Sequence, residues 1–448
     1  MPALTSDSVV DTFLKRFHDS AEATRKGRES IPRGYSRSSF NFGPHAIFAE
    51  RGGGCFIETI DGHTLLDLNN NFTVNVLGHD HPAIREALLA TIPQGISFGN
   101  PGESEAQLAR ILVDRVASVE RVQFSCSATE SCMSAVRVAR GYTGRTKIAK
   151  FEGGYHGFSD TLHISSHTGP GDDGGDDGTP RSIADSGGIP RSDLDNVVVL
   201  PQNDWESCEH ILRANAAELA CLILELQSGA GGLVTLGRAF VERLRMLTTE
   251  LGIVLVFDET ISLRADYHGL QGVYGVNPDL TVMGKMVGGG LPLGALGGSA
   301  DVMSVLENGT VSISGTHHGH RLALAAGIAC METMQPAAFE RLNSMAAWIT
   351  SELNAWAIAK DVPFSVFGGG FSHMAYAFWA SPDRTMTNHR DYWHKVDGEK
   401  TQIISLELAN RGIFPVHRGE FSLSLPMSDD DVSFVISTFI GIVEDLVG

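Results

Sequence analysis

The chain has 448 residues, 42% of them hydrophobic and 8% aromatic, which suffices for a large core and two or three folding units. Its net charge of −19 argues against nucleic acid and anionic membranes as partners, although a local pocket can still be basic. No apolar run approaches a membrane span, the N-terminus is amphipathic rather than a signal peptide, and six scattered cysteines indicate a reduced compartment, so we predict a cytoplasmic protein.

The first third of the chain alternates helical and strand patterns. Apolar residues at helical spacing span 9–28, and two short alternating segments, CFIET and TLLDL, predict a pair of strands joined by a turn. Helices are predicted to begin near Pro82 and at Glu103. This order of elements, continued along the chain, favours an α/β protein.

A strand, a small polar turn and a helix follow one another in VQFSCSATESCMSAVRVAR. The amide groups at the start of such a helix form an anion site, and Ser127 and Thr129 add hydroxyl donors. An ordinary helix cap has the same pattern, so the segment alone does not distinguish the two interpretations.

Residues 164–193 are poor in apolar residues and rich in Gly, Asp and Ser, which predicts a long mobile loop. Its DDGGDD run lacks the spacing of an EF-hand loop. We therefore expect a solvated loop and no metal site.

An apolar run from Ile253 to Phe257 has the pattern of a strand buried on both faces, and it ends at Asp258. A second strand-like segment, 280–283, leads to Lys285 and a run of three glycines. Because open α/β sheets bind ligands at the carboxyl ends of their strands, Asp258 is placed to contact a ligand. The small residues after Lys285 allow a flat ligand to approach it closely.

Pyridoxal phosphate requires such a pair of residues. A lysine amine forms its Schiff base, and a carboxylate keeps its pyridine nitrogen protonated. Taken singly, Asp258 also suits a helix cap and Lys285 a surface position. The pair together favours the cofactor.

The stretch that holds both residues resembles the cofactor segment of the class III aminotransferases and of glutamate-1-semialdehyde aminomutase, in DET, VYGVNPDLT, GK, GGGLPLGALGG and SADVM. The resemblance extends from about residue 30 to the end of the chain. It implies the type I pyridoxal-phosphate fold, with a mostly parallel seven-stranded sheet in a large domain and a small α+β domain built from both termini. We expect residues 1–75 and 331–448 to form the small domain and residues 76–330 the large cofactor-binding domain.

The resemblance also implies a role for each residue of the cofactor site. Lys285 and Asp258 would be the catalytic residues, the first bound to the cofactor and the second holding its ring nitrogen. Tyr155 and Thr260 would flank the ring, and Glu225 would face the cofactor pocket. The family usually has valine where this chain has Thr260, and proline after the glutamate that corresponds to Glu225.

Four residues would hold the phosphate: Ser127, Ala128, Thr129 and Thr316. The family has glycine at the position of Ala128. In the family the threonine that corresponds to Thr316 reaches the cofactor of the other subunit, which implies a homodimer with shared active sites.

Two arginines resemble the substrate arginines of the β-amino-acid (β-phenylalanine type) aminotransferases: Arg37 in YSRSS and Arg418 before SLSLP. Arg37 would take the carboxylate of the donor, and Arg418 would take a carboxylate of the keto acid acceptor and swing away for an apolar side chain. The segment ISFGNPGE and the long loop resemble the aminomutases instead, which carry their substrate arginine where this chain has Phe40.

We therefore predict a pyridoxal-phosphate-dependent aminotransferase. It would move an amino group from a β-amino acid to a keto acid such as 2-oxoglutarate. An aminomutase-like isomerase and another amine or amino-acid aminotransferase are the alternatives. A non-enzymatic regulator would have lost the lysine or gained a DNA-binding segment, and the sequence shows neither.

Overall fold

The computed structural model describes residues 4–40, 43–172, 179–416 and 418–448. Its helices are α1 (Ser6–Arg16), α2 (His18–Gly27), α3 (Asn70–Thr73), α4 (Pro82–Thr91), α5 (Glu103–Arg115), α6 (Ala128–Thr143), α7 (Arg191–Leu194), α8 (Trp205–Asn215), α9 (Arg238–Leu251), α10 (Gly269–Tyr274), α11 (Ala300–Glu307), α12 (Arg321–Thr333), α13 (Pro336–Ala359), α14 (His389–Lys395), α15 (Gly398–Asn410) and α16 (Asp429–Val447). Short 3-10 turns lie at Pro32–Gly34, Ser38–Phe40, Ile92–Gln94, Ser262–Ala265 and Lys285–Gly288.

The strands are short, as is usual in α/β proteins. They are β1 (Ala49–Gly53), β2 (Phe56–Thr59), β3 (Thr64–Asp67), β4 (Arg121–Ser125), β5 (Lys147–Phe151), β6 (Val197–Leu200), β7 (Leu219–Leu224), β8 (Gln227–Ser228), β9 (Val234–Thr235), β10 (Val254–Asp258), β11 (Leu280–Met283), β12 (Gly294–Gly298), β13 (Phe364–Phe367), β14 (His373–Phe378), β15 (Ile413–Phe414) and β16 (Glu420–Ser422).

The chain divides into two compact units. The first unit contains residues 1–81, 341–384 and 394–448, and the second contains residues 82–340 and 385–393. The division thus lies at 81/82 and 340/341, whereas the sequence predicts 75/76 and 330/331. The second unit also takes residues 385–393, which the sequence analysis assigns to the C-terminal small domain.

The second unit is built on a seven-stranded sheet in the order β4-β12-β11-β10-β7-β5-β6. Strands β6, β5, β7, β10 and β11 pair in parallel, whereas β12 runs antiparallel to both of its neighbours. The predicted mostly parallel sheet is therefore confirmed.

The strands at the centre of this sheet are buried along their whole length. Every residue of β7 and of β10 is buried, which matches the unbroken apolar runs of their sequences. Helix α6 packs its buried face on the sheet, with Cys132, Ala135, Val136 and Ala139 in the core next to residues of β7, β10, β11 and β12. The carboxyl ends of the parallel strands therefore meet at one edge, next to the start of α6.

The first unit combines strands from both ends of the chain. Strand β15 pairs in parallel with β3 in the sheet β1-β2-β3-β15, and β13, β14 and β16 form an antiparallel sheet. The N-terminal residues therefore cannot complete this sheet without the C-terminal ones.

In the part of the chain that the structure describes, no single helix has both the length and the apolarity of a membrane span, and α12 and α13 have them only as a pair bent by 75°.

Candidate active site

Acidic side chains and one lysine follow neighbouring strands at the carboxyl edge of the seven-stranded sheet. Glu225 follows β7, Asp258 ends β10, and Lys285 comes two residues after β11. The order β11-β10-β7 places these three strand ends side by side. The structure thus brings the predicted lysine and its predicted acidic partner to one edge.

Asp258 is buried and surrounded by hydrogen-bond donors. Its Oδ2 accepts from Nδ1 of His156 at 2.9 Å and lies 3.4 Å from Sγ of Cys132, and its Oδ1 accepts from the backbone N–H of Thr260 at 3.1 Å. Burial alone raises the pKa of Asp258, but the hydrogen bond from His156 and then the contacts of Thr260 hold this pKa below its ordinary value. Asp258 is therefore ionised at neutral pH.

His156 is the neighbour that the sequence analysis missed, although it lies next to Tyr155 in the same motif. It is fully buried, and burial lowers its pKa against the opposing effect of Asp258, so the ring is neutral at neutral pH. With Asp258 ionised, Nδ1 carries the proton that it donates. Among the described residues Nε2 has no hydrogen-bond partner.

Glu225 is the protonated counterpart of Asp258. Burial and the charge of Asp258 raise the pKa of Glu225 to about 8, against the opposing effects of the Tyr155 and Gly229 N–H groups and of the Lys285 charge. The Tyr155 N–H donates to Oε2 of Glu225 at 2.9 Å. Two neighbouring carboxyl groups thus differ in charge because one has more donors than the other.

Lys285 has a left-handed backbone, with φ of 52°, at the start of a 3-10 turn. Non-glycine residues adopt this region rarely, and such strain concentrates at functional sites. The residue before it, Gly284, is in close contact with α6, since a Cβ added to Gly284 would lie 2.9 Å from the Cβ of Ala128 and 3.5 Å from Cγ2 of Thr260. The structure thus brings Ala128 and Thr260 beside the backbone that carries Lys285.

The start of α6 is held tightly against the sheet. A Cβ on Gly294 of β12 would lie 2.2 Å from the backbone oxygen of Ser127, so only glycine fits there. Ser127 caps α6, its hydroxyl accepting from the N–H of Glu130 at 3.2 Å. The helix-cap interpretation is therefore correct. A capped helix still presents N–H groups that no helical carbonyl can take, so the anion site stays a prediction.

Thr129 packs against Gly157, two residues after Tyr155. A Cβ on Gly157, whose φ is +91°, would lie 2.5 Å from Oγ1 of Thr129. Tyr155 is 37% exposed, and its ring makes edge contacts with His163 at 6.1 Å and His167 at 5.8 Å between centroids. Its exposed surface leaves room for a ligand on one side.

Thr316 lies on an exposed turn. The turn reaches α6 through Nε2 of His318, which is 3.5 Å from Oε2 of Glu130. Because Thr316 is exposed in the single chain, its role toward a neighbouring subunit stays a prediction.

The ends of the predicted loop 164–193 are held together, and residues 173–178, with most of the DDGGDD run, lie outside the described part. Ile164 and Ala184 form an antiparallel bridge, and both oxygens of Asp185 accept from the N–H of Ser166 at 3.0 and 2.9 Å. The buried amine of Lys150 donates to the backbone oxygen of Ile164 and, at 3.2 Å, to Oγ of Ser166.

The two predicted substrate arginines belong to the first unit. The guanidinium of Arg37 lies over the rings of Phe72 at 4.5 Å and Phe40 at 4.9 Å, and its Nη1 donates to Oδ1 of Asn71 at 2.5 Å. Arg418 is partly buried and comes two residues before β16.

Comparison with known proteins places this arrangement in a family. A family model for the class-III aminotransferases matches residues 38–376. A glutamate-1-semialdehyde 2,1-aminomutase of Geobacillus kaustophilus is 36% identical, with coverage of 95% of this chain and 97% of the relative. An omega-transaminase of Sphaerobacter thermophilus is 37% identical, with a TM-score of 0.91 and coverage of 96% and 98%. A β-phenylalanine aminotransferase of Variovorax paradoxus is 28% identical, with a TM-score of 0.85 and coverage of 98% and 97%.

The chain belongs to the class-III aminotransferase family. The predictions of an enzyme of this family, of the type I fold and of pyridoxal phosphate as its cofactor are therefore confirmed.

The residues at the carboxyl edge fit this cofactor by the chemistry of their donors and acceptors. Lys285 would offer the amine, Asp258 would offer an ionised carboxylate for the ring nitrogen, and the N–H groups at the start of α6 would hold the phosphate. When bound, pyridoxal phosphate supplies a protonated ring that withdraws electrons from the substrate carbon. The individual roles of these residues stay predictions.

Proposed function

We propose that this enzyme moves the amino group of a β-amino acid with an apolar side chain to a keto acid such as 2-oxoglutarate. We also propose that it works as a cytoplasmic homodimer, in which Thr316 serves the cofactor phosphate of the neighbouring subunit. The observation that carries the substrate class is the environment of Arg37 in the first unit.

Arg37 is held in one orientation by three neighbours. Its Cζ lies within 4.9 Å of the ring centroids of Phe40 and Phe72, and Oδ1 of Asn71 accepts a hydrogen bond from its Nη1. Planar guanidinium groups pair with carboxylates through two parallel hydrogen bonds, and a guanidinium held in place loses less entropy on doing so. Arg37 therefore suits the carboxylate of an amino acid.

The turn that presents Asn71 and Phe72 is strained. Residues 70–73, the segment α3, all have positive φ, between 50° and 73°, although none is glycine, so this segment is a left-handed turn and not a right-handed helix. Asn70 and Asn71 tolerate this backbone better than the other two residues, and Nδ2 of Asn70 donates to the backbone oxygen of Ser422 at 2.7 Å. Strain that the surrounding structure maintains is typical of functional sites, which supports a ligand-binding role for this turn.

A mainly apolar cavity of about 290 Å³ lies in the first unit, next to two residues that contact Arg37. Phe40 and Asn71, which both contact Arg37, line it, together with Tyr35, Ile47, Phe48 and Phe414. Its volume is at the lower end of the range for ligand pockets. A carboxylate-binding group next to apolar volume suits a substrate with one carboxylate and an apolar side chain.

The residues of the second unit would provide the chemistry. Lys285 would carry a proton between the substrate carbon and the cofactor carbon, and Asp258 would keep the ring nitrogen protonated. Glu225, neutral near pH 7, adds no second negative charge beside Asp258.

The second candidate function is a glutamate-1-semialdehyde aminomutase. It is favoured by the 36% identity to the Geobacillus kaustophilus aminomutase over 437 residues. This chain has Phe40 at the position where the aminomutases carry their substrate arginine, and this difference weighs against it. Such an enzyme isomerises its substrate and needs no keto acid acceptor.

The decisive experiment measures product formation from β-phenylalanine with and without 2-oxoglutarate. We expect glutamate to form only when the acceptor is present, with ping-pong kinetics, and no glutamate with the Lys285→Ala variant. The same preparation is then given glutamate-1-semialdehyde without an acceptor. Turnover of the aldehyde, with no turnover of β-amino acids, would establish the aminomutase instead.

A further inference from the structure

The thiol of Cys132 contacts the carboxylate that we expect to hold the cofactor ring. Cys132 lies on α6, is fully buried, and has its Sγ 3.4 Å from Oδ2 of Asp258. The distance is within the range of a hydrogen bond that involves sulfur, and the thiol is a weak donor. The contact joins residues 126 positions apart in the sequence.

Counting acceptor sites shows what this contact does. An ionised carboxylate has about four lone-pair sites, two on each oxygen. The hydrogen bonds from His156 and Cys132 occupy both lone-pair sites of Oδ2, and the N–H of Thr260 occupies one lone-pair site of Oδ1. Oγ1 of Thr260 has no hydrogen-bond partner among the described residues, so within that part of the chain one site on Oδ1 is left, which is what a single ring N–H requires.

We propose that Cys132 is a positioning residue for the cofactor: its S–H donates to Oδ2 of Asp258, fixes the rotation of the carboxylate, and directs Oδ1 to the ring nitrogen. The proposal rests on Asp258 holding that nitrogen, and it is independent of the substrate.

The surroundings keep Cys132 in the donor form. Burial, and then the charge of Asp258 and its hydrogen bond, raise the pKa of the Cys132 thiol well above its ordinary value. The other titratable groups that face Asp258 are His156, which is neutral, and Glu225, which is largely protonated near pH 7. Neither would take the proton of the thiol.

Loss of the S–H would change where the ring proton resides. Asp258 would keep two donors instead of three, so its negative charge would be less dispersed and its basicity higher. The proton shared with the ring nitrogen would then shift toward the carboxylate. This shift separates a positioning role from simple packing, because a residue that only fills space does not move that proton.

The experiment compares variants loaded with pyridoxal phosphate labelled with ¹⁵N in the ring. Cys132→Val fills the space without a donor, Cys132→Ser keeps a donor, and Cys221→Val changes another fully buried cysteine, on β7, as a matched control. We expect the nitrogen resonance of Cys132→Val to move toward that of the unprotonated ring, whereas Cys132→Ser and Cys221→Val keep the wild-type position.

Cofactor affinity gives a second readout on the same proteins. Since a lost weak donor to a charged acceptor costs up to a factor of about ten, we expect Cys132→Val to bind the cofactor about threefold to tenfold more weakly. Because valine is larger than cysteine and can overpack the core, Cys132→Ala tests the loss of the S–H donor without added volume. Thermal unfolding of the cofactor-free proteins shows whether each variant is folded.

Two results would overturn the proposal, and they are distinct. If Cys132→Val and Cys132→Ala keep both the wild-type resonance and the wild-type affinity, the thiol only packs. If Asp258→Asn leaves the ring nitrogen protonated, Asp258 does not hold it and the site assignment itself fails.

Discussion

Two buried carboxyl groups, Asp258 and Glu225, differ in charge although they lie at the ends of neighbouring strands. Asp258 has donors from His156, Cys132 and Thr260, and these offset the cost of its burial. Glu225 has backbone donors only, and the charge of Asp258 adds to the cost of ionising it. Burial therefore produces an anion at one position and a neutral acid at the other.

A pH dependence of stability follows from Glu225. Its pKa is about 8 in the folded chain and has an ordinary value of 4.5, so between these values the unfolded chain binds fewer protons and stability falls as pH rises. In the cofactor-free protein, Glu225→Gln removes this loss. The unfolding free energy of the variant minus that of the wild type should therefore increase from pH 5 to pH 8 and stay constant above pH 8. The slope should be at most about 1.4 kcal/mol per pH unit.

Denaturant unfolding at several pH values measures this difference. Glu218→Gln, which changes an exposed glutamate, is the control and should show no such trend. A difference that stays constant between pH 5 and pH 8 would mean that Glu225 is already ionised in the folded chain.

The two substrate arginines should affect different half-reactions. A charged hydrogen bond contributes about 1.5–3 kcal/mol, and 1.4 kcal/mol is a factor of ten, so Arg37→Ala should weaken a β-amino acid donor at least about tenfold. Arg418→Ala should mainly weaken 2-oxoglutarate and spare a donor with an apolar side chain. Single-turnover kinetics of each half-reaction measures the two effects, and Arg28→Ala, at an exposed position, is the control. Equal losses in both half-reactions for both variants would contradict the assignment.

At the scale of elements, the site depends on how closely the start of α6 approaches β12 and the segment before Lys285. Gly294 and Gly284 permit this approach, because a Cβ on either would come within 3.0 Å of the first residues of the helix or its cap. The family glycine at position 128 is replaced by alanine here, and its methyl group fills the space that Gly284 leaves.

This contact predicts a compensating pair of substitutions. Gly284→Ala would bring two methyl carbons to 2.9 Å, so it should lower the free energy of unfolding by about 1–3 kcal/mol and weaken cofactor binding. Adding Ala128→Gly removes the opposing methyl group and should recover most of both losses. A double-mutant cycle measures the coupling, and additive effects of the two substitutions would show that the residues do not touch.

At the scale of the whole molecule, Thr316 predicts a shared site. If it serves the neighbouring subunit, mixed dimers of Lys285→Ala and Thr316→Ala chains contain one site with both defects and one with neither. Activity should then exceed that of either parent. The control mixes a chain that carries both substitutions with wild type, which leaves one defect in every site of a mixed dimer. The two kinds of mixed dimer are first separated from their parent homodimers. A control mixed dimer that is as active as the first or more active, or a fully active monomer in sedimentation, would contradict the shared site.

The sequence by itself determined the elements that local signals specify. The strand predicted at 253–257 is β10, Val254–Asp258, the strand-like segment 280–283 is β11, and the helix predicted at Glu103 begins there. Apolar runs and helix caps depend on a few neighbouring residues, so the sequence alone predicts the strands and helices that they specify. The pairing of an acid and a lysine with strand ends also identified the cofactor, because both residues follow recognisable strands.

Only the tertiary structure decided which residues surround Asp258 and which segments complete each unit. His156 and Cys132 reach Asp258 across 102 and 126 positions of sequence, and no local pattern encodes such a contact. The same holds for residues 385–393, which leave the C-terminal part of the chain to join the second unit. These contacts depend on how whole strands and helices pack, since a side chain meets a distant partner only after the elements that carry both have been placed.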